Sequence, residues 1–159
     1  MADPDSSVRP SAVAFDLDGT LVDSAPDIAA ALNSALRAAG LPPVALERVH
    51  GWIGDGPDPL ITRALAALGE PDAAALHAAL RAQFDRATLA APLLHGRVFD
   101  GIEPLLRRLR PTWPLLVVTN KPSALACAVL EAAGLRGCFT LSTAVEPASL
   151  PFSSTLARG

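Results

Sequence analysis

The chain has 159 residues, 50% of them hydrophobic and 18% charged, with a net charge of −3 from 13 basic and 16 acidic side chains. That balance supports a buried core and excludes a largely disordered chain. It also argues against nucleic-acid binding: the densest basic cluster, Arg107, Arg108 and Arg110, follows an apolar helix face and reads as its solvated end.

The opening Met1-Ala2-Asp3-Pro4-Asp5 is acidic and lacks the basic-then-apolar layout of a signal peptide, and no apolar run approaches a membrane span. Two cysteines, Cys127 and Cys138, fit a reduced compartment and are too few for a metal site of their own. The expectation is a cytoplasmic chain with no membrane or nucleic-acid partner.

Residues 1–11 are polar and read as a loose tail. Residues 12–17, Ala12-Val13-Ala14-Phe15-Asp16-Leu17, form a short apolar run between Pro10 and Gly19, the pattern of a buried parallel strand. Its carboxylates fall at the C-terminal end, where open α/β sheets bind ligands. Helix periodicity then takes over: Ile28, Ala31, Leu32, Ala35, Leu36 and Ala39 mark a helix stopped by Gly40. After Pro42-Pro43, a second helix begins near Asp58-Pro59, carries Leu60, Ile61, Ala64, Leu65 and Leu68, and ends at Gly69. A third opens at Pro71-Asp72 and carries Leu76, Leu80 and Phe84.

From Gly101 the α/β pattern returns. Ile102, Leu105, Leu106 and Leu109 mark a helix; 115–118 is a second buried strand ending at Thr119-Asn120; 122–133 is a helix stopped by Gly134; and 139–143 reads as a third strand. The layout predicts an α/β fold, a Rossmann-like parallel sheet core made of 12–23 and 98–159. Residues 24–97 form an inserted α-helical cap, placed to cover a site at the first strand end.

Asp16 and Asp18 carry the chemistry. One carboxylate can attack phosphorus, and a second can protonate the leaving oxygen and then deprotonate water. Gly19 permits the sharp turn that lets both face one pocket, and the turn amides are candidates for an anion-binding nest. A magnesium ion, which prefers oxygen ligands, would neutralise carboxylate and phosphate together. A plain Asp-Gly turn after a strand is the bland alternative. A calcium loop is a second, but it needs Gly at the sixth position, and Gly19 is fourth counting from Asp16. His50, His77 and His95 have no metal-ligand spacing and read as surface or packing residues.

The stretch Phe15-Asp16-Leu17-Asp18-Gly19-Thr20-Leu21-Val22-Asp23 resembles the first motif of the haloacid dehalogenase-like hydrolases, and Val117-Val118-Thr119-Asn120-Lys121-Pro122 resembles the second. Trp52-Ile53-Gly54-Asp55-Gly56 followed by Leu60-Ile61-Thr62-Arg63-Ala64-Leu65, together with Thr119-Asn120-Lys121-Pro122 and Ser149-Leu150-Pro151-Phe152, are similar to the phosphoglycolate phosphatase branch of that family. The resemblance implies a phosphatase that hydrolyses a small phosphomonoester, 2-phosphoglycolate being the expected substrate, through an aspartyl-phosphate. By position it implies Asp16 as nucleophile and metal ligand. Asp18 follows as acid/base and metal ligand, Thr20, Thr119 and Asn120 as phosphate-binding residues, and Mg2+ as cofactor. Thr119 also reads simply as a β-branched strand end and Asn120 as a turn residue. Lys121 is balanced between phosphate ligand and bystander.

The family's later lysine and acidic pair find no counterpart, since no lysine follows Lys121. The resulting expectation is a C-terminally truncated or divergent chain, weakly active or inactive, with too little positive charge around its carboxylates. The resemblance further implies that the first strand, 13–17, becomes an apolar sheet edge open to self-association. An interaction module pairing through that edge is the alternative function.

Overall fold

A computed structural model describes residues 11–70 and 72–144. Strands β1 (Val13–Phe15), β4 (Leu115–Thr119) and β5 (Leu141–Ala144) form a parallel sheet in the order β1-β4-β5. Val13 pairs with Leu115 and Phe15 with Val117, while Leu116 pairs with Leu141 and Thr119 with Ala144. Parallel pairing needs crossover connections. Helix α6 (Ser123–Ala132) makes the second, and a 3₁₀ turn at Arg136–Cys138 delivers the chain to β5. Helix α5 (Ile102–Leu109) precedes β4. Leu17, Leu21, Val22, Leu106, Leu115, Val117, Ala126, Val129, Leu130 and Leu135 form the buried cluster around the sheet.

Between β1 and α5 lie four helices: α1 (Ala25–Ala38), α2 (Leu46–His50), α3 (Pro57–Leu68) and α4 (Ala73–Ala90). They share a second cluster built on Leu32, Leu36, Val49, Ile61, Leu65, Leu80 and Phe84, to which α6 adds Leu125. The helix ends follow the sequence. Gly40 is left-handed at φ 74°, and the Leu41 amide reaches back to the Leu36 carbonyl, the hydrogen bond of a Schellman stop. Asn33 braces the Pro-Pro linker, its Nδ2 donating to the Val44 carbonyl (2.9 Å) and its Oδ1 accepting from the Val44 amide (2.8 Å). Arg81 on α4 joins Asp85 on its own helix to Asp58 on α3. Burial pulls its pKa down, but hydrogen bonds and charge from Asp85 and Asp58 more than offset this, so the guanidinium stays charged at every working pH.

Among the described residues, the chain crosses between sheet and helices at one place. Strand β2 (Val22–Asp23) on the way out pairs antiparallel with β3 (Arg97–Val98) on the way back. Asp27, buried in the first turn of α1, staples this crossing. Its Oδ1 accepts the amides of Leu94 and His95 at 2.8 Å each, and its Oδ2 accepts that of Gly96 at 2.7 Å. Gly96 has no room for a side chain, since a Cβ would lie 2.2 Å from the Asp23 carbonyl oxygen.

Several expectations shift. The strand read at 12–17 is only three residues long, because Asp16 already begins the turn. Ala14 is exposed rather than buried, since β1 has a neighbour on one side alone among the described residues. The apolar edge is correspondingly shorter than 13–17, and Leu17 is fully buried. The third strand starts at Leu141, not 139, because the 3₁₀ turn first brings Phe139 edge-on to Phe15, ring centroids 6.2 Å apart. The short helix α2 and the β2–β3 ribbon were not foreseen. The tail at 1–10, the start of the third helix at Pro71, and the stretch 149–152 lie outside the described residues. No helix among the described residues is long and apolar enough to cross a membrane.

Candidate active site

The C-terminal ends of β1 and β4 lie side by side, as the register Phe15–Val117 requires. Each strand ends in residues that line a common cleft: Asp16 and Asp18 from the first, Thr119, Asn120 and Lys121 from the second. These make a polar floor. Ile28, Ile53, Leu60, Phe84 and Leu125 make an apolar roof and wall, and Gly54 and Gly56 stand at the rim. The cleft encloses ≈ 440 Å³ of non-atom space, part of it open to solvent.

The turn after β1 is fixed by its own backbone. The Leu17 carbonyl accepts the amides of Thr20, Leu21 and Val22, and the Gly19 amide donates to the Val22 carbonyl. Gly19, at φ 79°, makes that geometry available without strain. The same bonds turn the amides of residues 19, 20, 21 and 22 inward onto the loop.

Asp16 is exposed to the cleft. Its Oδ1 accepts the Leu17 amide at 2.7 Å, which fixes the carboxylate and leaves Oδ2 without a hydrogen bond among the described residues. Asp18 is held much more firmly. Ser24 Oγ donates to its Oδ1 at 2.5 Å, and Lys121 Nζ lies 3.0 Å from Oδ2 and 3.2 Å from Oδ1. Ser24 occupies the N-cap position of α1 yet makes no side-chain cap; its hydroxyl is diverted to Asp18.

Lys121 is the feature that sequence reasoning left undecided. Its side chain is only 6% exposed, and it is the one cation lining the cleft among the described residues. The expected shortage of positive charge is therefore partly met from within the second motif. The signal was legible as Thr119-Asn120-Lys121, but only the parallel register places position 121 beside position 18.

The remaining candidates separate. Thr119 is buried at the cleft floor, with Oγ1 accepting the Lys121 amide at 3.2 Å. Thr20 is exposed and does not line the cleft. The Asn120 side chain turns to the helices, Nδ2 donating to the Gly54 carbonyl at 2.8 Å. His50 and His95 are exposed, and His77 contacts Asp58 on the far side of α3. Among the described residues, no three His, Cys, Asp or Glu side chains converge on one metal position. The Asp16 carboxylate, with Oδ2 not hydrogen-bonded among the described residues, nonetheless suits magnesium, which binds through one or two carboxylates and fills its remaining positions with water and substrate phosphate.

The family model for haloacid dehalogenase-like hydrolases matches residues 10–151. A phosphoglycolate phosphatase of Cereibacter sphaeroides is 42% identical over 128 residues, covering 80% of this chain and 59% of that relative. One from Photorhabdus laumondii is 38% identical over 131 residues, covering 82% and 56%. The crystal structure of a predicted phosphoglycolate phosphatase from Haemophilus somnus superposes with a TM-score of 0.79 at 32% identity, covering 89% of this chain and 64% of that one. The chain thus spans less than two thirds of the length of these relatives.

Proposed function

The chain belongs to the haloacid dehalogenase-like hydrolase family, and from that premise we propose that its cleft hydrolyses a small phosphomonoester, 2-phosphoglycolate, to glycolate and phosphate. The observation that carries the reading is the placement of Asp16 and Asp18 on one polar floor with Thr119 and Lys121. The phosphoglycolate phosphatases at 38–43% identity support the choice of substrate.

In this reading, Asp16 Oδ2, the carboxylate oxygen not engaged by the Leu17 amide, attacks phosphorus. The bond from phosphorus to the ester oxygen breaks, and Asp18 gives that oxygen a proton. Water then attacks the aspartyl-phosphate, Asp18 takes the proton back, and phosphate leaves with Asp16 restored. Ser24 and Lys121 hold Asp18 in one orientation for both transfers. In this reading Thr119, which lines the cleft, donates its hydroxyl to a phosphoryl oxygen. Bound magnesium would be held by the Asp16 carboxylate and the Asp18 main-chain carbonyl, and would supply charge neutralisation to the phosphoryl group. The helices α1–α4 act as a cap whose apolar roof keeps bulk water from the reacting atoms.

The test is phosphate release from 2-phosphoglycolate by the purified chain. We expect release that requires magnesium and disappears in Asp16→Asn. No release from the wild-type chain, or release that survives the substitution, would refute the reading.

A further inference from the structure

Asn120 touches the roof twice. Its side-chain amide donates to the Gly54 carbonyl at 2.8 Å, and its own carbonyl oxygen lies where a Cβ on Gly56 would come within 2.9 Å. Gly56 is left-handed at φ 88°, so the close approach and the backbone both demand glycine. The loop between these contacts is also gripped from above. Arg63 on α3 donates to the Trp52 carbonyl at 2.8 Å and pairs with Asp55. Residues 52–56 are therefore braced to the helices by Arg63 and to the sheet by Asn120.

This arrangement has a geometric consequence. The β2–β3 ribbon, stapled by Asp27, is the covalent crossing between helices and sheet. Asn120 bridges the two at the rim of the cleft, near Asp16 and the roof residue Ile53. A molecule under the roof meets the Asn120–Gly54 bridge at the rim.

We infer that Asn120 is a positioning and size-selecting residue, which seats the 52–56 loop on the sheet and so limits the cleft to small phosphomonoesters. The inference rests on the phosphatase reading for its substrate side but not for the latch itself. It assigns Asn120 to the cap instead of to the phosphoryl group. Release of the latch opens the rim, which a compact substrate feels as lost seating and a bulkier one as gained space.

Two measurements test it. The first needs no activity: hydrogen–deuterium exchange of residues 52–56 in the chain without substrate. Asn120→Ala removes one hydrogen bond, and exchange there is expected to rise about five-fold, with α6 unchanged. Gly56→Ala, whose Cβ would press on the Asn120 main-chain carbonyl instead, is expected to do likewise. Unchanged exchange in 52–56 in both variants, or a rise spread over the whole chain, would overturn the latch.

The second is the ratio of kcat/KM for 2-phosphoglycolate to that for p-nitrophenyl phosphate. A latch lowers this ratio in Asn120→Ala by about ten-fold, because the compact substrate loses more. A phosphate ligand would lower both values alike and leave the ratio unchanged, which would overturn size selection. If the wild-type chain hydrolyses neither ester, the phosphatase reading fails along with size selection, and exchange still decides the latch.

Discussion

Lys121 Nζ lies within 3.2 Å of both carboxylate oxygens of Asp18, and the two side chains are 6% and 13% exposed. A pair this well shielded costs more to break than a surface ion pair, because removing one partner strands the other's charge away from water. Lys121→Met is expected to lower unfolding free energy by about 2–4 kcal/mol, measured by urea denaturation. Lys121→Arg should recover part of that stability without fully restoring hydrolysis, because a planar guanidinium does not reproduce the ammonium's position.

Asp27 makes three hydrogen bonds that only a side chain with two acceptor oxygens can make. Asp27→Ala leaves three backbone amides without partners and is expected to cost about 3 kcal/mol or more. Asp27→Asn keeps one oxygen for Leu94 and His95 and turns a donor toward the Gly96 amide, so it should cost less than alanine. The order of the two midpoints in thermal melts checks this.

Gly96→Ala tests the crossing from its other side. A methyl group 2.2 Å from the Asp23 carbonyl oxygen and 2.7 Å from Asp27 Oδ2 forces backbone, not a flexible side-chain tip, to move. The expected loss is about 2–3 kcal/mol, with faster amide exchange at residues 94–98. A melt indistinguishable from wild type would show that the ribbon is looser than described.

Thr88 is buried in α4, and its Oγ1 has no hydrogen-bond partner among the described residues. Thr88→Val replaces that hydroxyl with a methyl group of nearly the same shape. It is expected to stabilise the chain by about 1 kcal/mol, read as a higher denaturation midpoint at unchanged slope.

Much of this architecture was legible in the sequence because the signals were local. Gly40, Gly69 and Gly134 stop helices where expected, each with positive φ. The apolar spacing from Ile28 to Leu36 and from Leu60 to Leu65 correctly marks buried faces. What escaped was set by contacts distant in sequence. The Lys121–Asp18 pair spans 103 positions, and the Asp27 staple spans up to 69. No periodicity encodes either one. Asn120 shows the same limit: its position in the second motif points to phosphate, and nothing local announces that its side-chain amide also donates to a loop 66 residues away. Helix α2 was missed because five residues between Pro43 and Gly51 give too few turns to display a period.

The central claim is that Asp16 accepts a phosphoryl group. Its most direct measurement is intact and peptide mass spectrometry of the chain, acid-quenched after mixing with magnesium and 2-phosphoglycolate. Trapping in this way registers the first chemical step even where turnover is slow. The account predicts one added phosphoryl group on the peptide containing Asp16, absent without magnesium and absent in Asp16→Asn. An unmodified chain at every quench time, or an adduct that persists in Asp16→Asn, would contradict it.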